Sequence, residues 1–328
     1  MKLATENTGN PDGRLLVVSE DLLHAVPAAP IAATLQEAIE RWTQVEEPLR
    51  QLYRSLNKGE VENARRIDAM RLAAPLPRAW QWLDASAFLS HGMLMQKAYG
   101  LPPIETSAPL MYQGLSHEFI GPKDEVPFPD EADDIDFEGE IGVITDLVPM
   151  GTPASMALDH VRLLVLINDW SLRKVAPIEM KTGFGWIQAK PACSVAPVAV
   201  TPDELAGYWS EGRLTAEVEV RRNGELFGRV PATEMHFGFH ELIAHAARTR
   251  FLCAGTLIGS GTVSSLRYEE VGSCCIAERR AIEAIRQGSP QTRFLASGER
   301  VQMRVRAGDR NTSIFGELDQ SVRVLRPA

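Results

Sequence analysis

Two glutamates separated by one glycine are the first residues in this chain that suggest chemistry, in Asp136-Phe137-Glu138-Gly139-Glu140-Ile141-Gly142-Val143-Ile144. On a strand, residues i and i+2 face the same side, so Glu138 and Glu140 would project together. Adjacent carboxylates repel one another unless a proton or a cation lies between them. A hard divalent cation is the simplest solution, and carboxylate oxygens suit Mg2+, Ca2+ or Mn2+. An exposed strand face with two solvated glutamates would read the same way. Asp169, in Asn168-Asp169-Trp170, follows the apolar run from Val161 to Ile167. Strand ends and the loops after them host chemistry, although a cap or turn residue fits that place too.

Asp84 and His91 stand seven residues apart. Two helical turns span that distance, so both would share one face if the segment were helical. Histidine's ordinary ionisation range suits it to proton transfer near neutrality. Lys181, Gly183, Phe184, Gly185 and Lys190 form a glycine-bearing loop whose backbone can approach a ligand closely. It is not a phosphate-binding loop, and the glycine-rich run from Gly255 to Thr262 lacks the dinucleotide fingerprint. A nucleotide cofactor is therefore not expected.

The 328 residues carry 34 basic and 43 acidic side chains, a net charge of −9. Nucleic acid is excluded as an expected partner, because phosphate binding needs concentrated positive charge. The longest strongly apolar run, Leu163 to Ile167, is far too short to span a bilayer. Met1 to Arg14 shows no apolar signal region. Cys193, Cys253, Cys274 and Cys275 form no C-x-x-C pair and read as reduced, mostly buried thiols. A cytoplasmic protein with a small-molecule substrate fits these bounds.

The elements that must position these residues fall into two parts. Arg14 to Ser19 reads as a strand, and Thr34 to Leu56 as a helix that Pro48 should kink or split. Prolines 75 and 77 mark a boundary, which gives a small α/β module over 1–75 and a larger part over 76–328. In the second part, strands are expected at 137–145, 161–167, 214–221, 225–230, 256–263, 300–305 and 321–325. Asn223-Gly224 is a two-residue hairpin signal. Short helices are expected at 90–99, 239–247 and 276–285, and 118–134 as a ligand-facing loop. Strands outnumber helices without regular alternation, so the fold class is α+β rather than a doubly wound parallel sheet.

Taken in order from about Asp84 to Gln320, these pieces resemble the fumarylacetoacetate hydrolase family. The resemblance implies a mixed β-sheet and β-roll fold, and a metal site of Asp84, Glu138, Glu140 and Asp169 holding Mg2+, with Ca2+ or Mn2+ as alternatives. It implies His91 as the base, paired with Glu278 after Gly272-Ser273. Lys190 matches the family's lysine, with Lys181 as its competitor. Substrate contacts fall on Tyr112, Arg173 and Thr262 of Ser260-Gly261-Thr262. Ser86 stands near Asp84 where the resemblance would place a tyrosine, which leaves the substrate open. The implied activity is carbon–carbon cleavage of a 1,3-dicarbonyl or 2-oxo acid, by a homodimer. The same site would also suit a decarboxylase or isomerase of oxaloacetate-like or hydroxy-dienoate compounds. A metal-binding protein without turnover is a further reading.

Overall fold

The run Val161–Asn168 is apolar at nearly every position because both its faces are covered. Leu164 and Leu166 point into one core, whereas Leu163, Val165 and Ile167 point into a second. That is the period of two expected of a strand buried on both sides. The computed structural model describes residues 1–100, 102, 107–308 and 313–325. Val161–Asn168 lies near the middle of a twelve-stranded sheet. From it the order runs one way through Val198–Val200, Lys2–Glu6, Arg14–Val18 and His24–Pro27. In the other direction it runs through Gly139–Thr145, Thr256–Gly259, Trp82–Ala85 and Met111–Gln113. The expected boundary near residue 75 does not interrupt the sheet, since Lys2 pairs with Val200.

A second sheet of five strands holds Glu225–Pro231, Glu217–Arg222, Arg300–Arg306, Leu318–Val324 and Val126–Phe128. Val218, Val220, Met303 and Val305 from this sheet join Leu164 and Leu166 in the first core. The hairpin at Asn223-Gly224 forms as expected, with φ of 53° and 83° at the two turn residues. The segment 118–134, expected as a ligand-facing loop, instead supplies Val126–Phe128 to this sheet, with Val126 and Phe128 buried. Among the described residues, no helix is long and apolar enough to cross a membrane.

Three further expectations shift. The helical stretch divides at Arg41, giving Leu35–Glu40 and Trp42–Asn57, and the second helix runs through Pro48. Proline removes one amide donor, and the buried Trp42, Val45, Leu49 and Leu56 hold the helix on the sheet regardless. Asp84 and His91 do not share a helix. Asp84 is on the strand Trp82–Ala85, hydrogen-bonded to neighbours on both sides, and the helix Leu89–Tyr99 begins only after Phe88. Finally, the strand from Thr256 stops at Gly259. Ser260 and Val263 turn back to donate to the carbonyls of Ile141 and Gly139, around Gly261 at φ +76°.

Candidate active site

Three neighbouring strands and one strand end bring the carboxylates together. Asp84 sits on Trp82–Ala85 and Glu140 on Gly139–Thr145, with Gly259 on the strand between them. Asp169 follows Val161–Asn168, its amide donating to the carbonyl of Glu138 at 3.0 Å. Oxygens of Asp84, Glu140 and Asp169 lie within 4.8 Å of one another, and all three residues are buried. Such a cluster keeps protons in the absence of a cation. Burial and the charge of Asp169 push Asp84 up to about 8. Burial and the charges of Asp84 and Asp169 likewise raise Glu140 well above the usual carboxylate range.

Gly259 is required by this geometry. A Cβ there would stand 2.4 Å from the Trp82 ring, 2.5 Å from Asp84 Oδ1 and 2.9 Å from Glu140 Oε2. Gly259→Ala is therefore expected to displace both carboxylates and weaken divalent-cation affinity by at least about tenfold. A calorimetric titration with Mn2+ checks this, and affinity equal to wild type would contradict it.

Glu138 is placed differently from its neighbour. It precedes the regular strand and pairs as an isolated bridge with Cys275. Its Oε1 accepts from Ser171 Oγ at 2.8 Å and from Lys190 Nζ at 3.1 Å, and lies 2.5 Å from an Arg173 guanidinium nitrogen. Its Oε2 accepts from Thr262 Oγ1 at 2.5 Å. Burial opposes its ionisation, but the charges of Arg173 and Lys190 outweigh burial and hold it well below the usual range. Lys190 also donates to Asp169 Oδ2 at 2.5 Å. Although burial disfavours the ammonium, the charges of Asp169 and Glu138 keep Lys190 protonated. Lys181, the competing lysine, is exposed.

The expected base and its partner meet. His91 Nδ1 lies 2.8 Å from Glu278 Oε1. Helix Leu89–Tyr99 packs on helix Ile276–Gln287 through Leu94, Ala281 and Ile282, which holds the two side chains in register. Tyr112 donates to Asp169 Oδ2 at 2.8 Å and packs edge-on against Trp186. Arg173, expected at the substrate, commits its guanidinium to Asp136 at 2.8 Å and to Glu138. A cavity of about 780 Å3 lined by Arg78, His117 and Asp124 contains none of these residues. The oxygens of Asp84, Glu140 and Asp169 lie close enough together to share one ion.

Several contributors escaped the sequence reading. The Cys193 thiol donates to Asp169 Oδ1 at 2.8 Å. Asp136, fully buried, accepts from Arg173 and from the first amides of helix Ile276–Gln287, Ile276 at 2.7 Å and Ala277 at 2.9 Å. Glu179 accepts from the amides of Ile187, Gln188 and Ala189, which fixes the backbone just ahead of Lys190. Asp136 was legible as a third acidic residue beside the glutamate pair. Nothing local in the sequence marks Cys193 or Glu179.

Residues 81–323 match the family model described as fumarylacetoacetate (FAA) hydrolase C-terminal, and residues 1–78 match fumarylacetoacetase N-terminal domain 2. The mitochondrial oxaloacetate tautomerase of Xenopus laevis is 26% identical over 157 residues, 47% of each chain. The chain thus spans about half the length of the curated relatives it matches. A probable 2-hydroxyhepta-2,4-diene-1,7-dioate isomerase from Mycobacterium abscessus shares the fold, with a TM-score of 0.67 at 21% identity and 100% of both chains covered. So does maleylpyruvate hydrolase from Sphingobium sp. SYK-6, crystallised with manganese(II) and pyruvate. Its TM-score is 0.66 at 17% identity, covering 99% of this chain and 100% of that one. With both models together accounting for nearly the whole sequence, the chain belongs to the fumarylacetoacetate hydrolase family.

Proposed function

We propose that this protein is a divalent-metal-dependent hydrolase that cleaves a carbon–carbon bond in 1,3-dicarbonyl acids of the acylpyruvate type. The observation that carries the reading is the 2.8 Å pairing of His91 with Glu278. Water attack needs a base whose orientation is fixed by a third group, and this pair supplies one.

The residues fit a cation. Both carboxylate oxygens of Glu140 are buried without a hydrogen-bond partner, a costly state for a carboxylate unless an ion satisfies it. Asp84, Glu140 and Asp169 would hold the ion, an all-oxygen donor set suited to Mg2+ or Mn2+. Glu138 would join only by exchanging contacts with Thr262, Ser171 and Lys190. When bound, the cation supplies Lewis-acid polarisation of the substrate's oxygens and counter-charge for an enolate.

The chain's own groups do the rest. His91, oriented by Glu278, takes a proton from water, and the hydroxide forms a bond to the carbonyl carbon. The adjacent carbon–carbon bond then breaks, its electron pair leaving as an enolate. The imidazolium returns the proton to that carbon, which yields a carboxylic acid and a 2-oxo acid. Lys190, kept cationic between Asp169 and Glu138, offsets negative charge as the bond breaks.

A second reading, tautomerisation or isomerisation of oxaloacetate-like acids, is favoured by the names of the curated relatives. There the same dyad would move a proton between carbon and oxygen without adding water. Assays with acylpyruvates and with oxaloacetate, with Mg2+ or Mn2+ and after EDTA, separate the two. Cleavage of the acylpyruvate that EDTA abolishes is expected. Turnover of oxaloacetate alone would replace the first reading by the second.

A further inference from the structure

Beside the all-oxygen cluster stands a chemically different one. A ring nitrogen of His91, the Cys275 sulfur and a carboxylate oxygen of Glu278 lie within 4.8 Å of one another. Cys275 is the N-cap of helix Ile276–Gln287, where serine, threonine, aspartate or asparagine would cap better. Its sulfur is a weak acceptor, 3.4 Å from the Glu278 amide, and the carboxylate of Asp136 already takes the amides of Ile276 and Ala277. Capping alone does not account for a thiol here. Glu278 is 1% exposed, and its Oε2 has no hydrogen-bond partner. Only His91 among the three reaches solvent, with 22% of its side chain exposed, which gives an entry path.

We propose that His91, Cys275 and Glu278 form a second cation site, selective for a thiophilic divalent ion such as Zn2+. Nitrogen, sulfur and one carboxylate oxygen make up a borderline-soft donor set, with a fourth position left for water. Mg2+ has little affinity for sulfur, so the two sites sort ions by donor type. On binding, the Cys275 thiol releases its proton to solvent, the His91–Glu278 hydrogen bond is replaced by bonds to the ion, and the imidazole keeps its one proton on the ring nitrogen that does not bind the ion. Turnover would then stop, because the base has lost its lone pair. That inhibitory consequence rests on the proposed role of His91, whereas ion binding does not.

Cd2+ is the probe, added to the full chain in excess Mg2+ so that the oxygen cluster is filled. One Cd2+ per chain should produce a thiolate-to-metal absorption band in the near ultraviolet. Cys275→Ser should abolish the band and weaken Cd2+ binding by at least about tenfold. Serine is a good N-cap, so the helix start is retained in that variant, and circular dichroism checks that it is. Cys193→Ser serves as the control, since Cys193 touches Asp169 of the other cluster. The assignment requires the band to disappear in Cys275→Ser and to persist in Cys193→Ser, and any other pattern overturns it. Zn2+ should inhibit the wild type, with the half-inhibiting concentration raised at least about tenfold in Cys275→Ser. Binding without inhibition would leave the site standing and remove His91 from its role as base.

Discussion

Replacing His91 by alanine is expected to lower turnover by about 10²–10⁴-fold, the range over which positioned general bases act. Divalent-cation affinity should stay close to that of the wild type, since the three carboxylates that enclose the cation space come from other elements. Glu278→Gln should reproduce much of the loss, because the amide keeps the shape but not the charge that orients and stabilises the imidazolium. Steady-state rates on an acylpyruvate, set beside a Mn2+ titration of each variant, read both quantities. Wild-type turnover in His91→Ala would remove the histidine from the mechanism. Lost Mn2+ binding in the same variant would show that the substitution disturbs the carboxylates as well.

Glu140→Gln is expected to act in opposite directions with and without a cation. In the cation-free protein, three buried carboxylates crowd together and Glu140 finds no partner for either oxygen. Glutamine should stabilise the cation-free protein at neutral pH, where the wild type must hold a proton on Glu140 that the unfolded chain gives up. The melting temperature should rise by about 2–4 °C for each kcal/mol. The sign with pH follows from the raised pKa of Glu140. The folded protein holds a proton that the unfolded chain releases above its ordinary value of 4.5. The wild type therefore loses stability as pH rises above that value, and the advantage of the glutamine variant grows over the same window. Excess Mn2+ reverses the comparison. At 100 times its dissociation constant it should stabilise the wild type by about 2.7 kcal/mol, and it should leave the variant almost unmoved. Thermal melts at several pH values, with Mn2+ and with EDTA, test both arms. Equal Mn2+ stabilisation of the two proteins would sink the assignment of Glu140 as a ligand.

What could be read from the sequence follows the range of the contacts involved. Val161–Asn168 announces itself, because burial on two faces makes every position apolar. Helix Phe239–Ala247 is also plain, since Phe239, Leu242, Ile243 and Ala247 mark one face. Lys2–Glu6 was not legible. Its five residues are few and mixed in polarity, and part of what makes them a strand is Val198–Val200, far along the chain. The same holds at the site. Asp84, Glu138, Glu140 and Asp169 are weak signals one by one, and only their order along the chain, matched to the family pattern, named them together and set His91 beside Glu278. That Glu138 spends its oxygens on Thr262, Ser171, Lys190 and Arg173 depends on side chains from separate segments, which no local pattern encodes. The seven-residue spacing of Asp84 and His91 suggested a helix face, yet it is bridged by a strand, three irregular residues and the start of a helix.

The place of Lys2–Glu6 inside the large sheet bears on how the chain is made. Its hairpin with Arg14–Val18 joins near neighbours and can form as soon as those residues emerge during synthesis. Thr5 and Glu6 find Ala73 and Leu72 on the other edge, but Lys2–Ala4 waits for Val198–Val200, so a short row of unpaired amides and carbonyls stays open while most of the intervening chain is translated. An open edge of this kind can recruit a foreign strand. Slower elongation or scarce chaperone should therefore penalise yield at this seam before it penalises anything at the carboxylates.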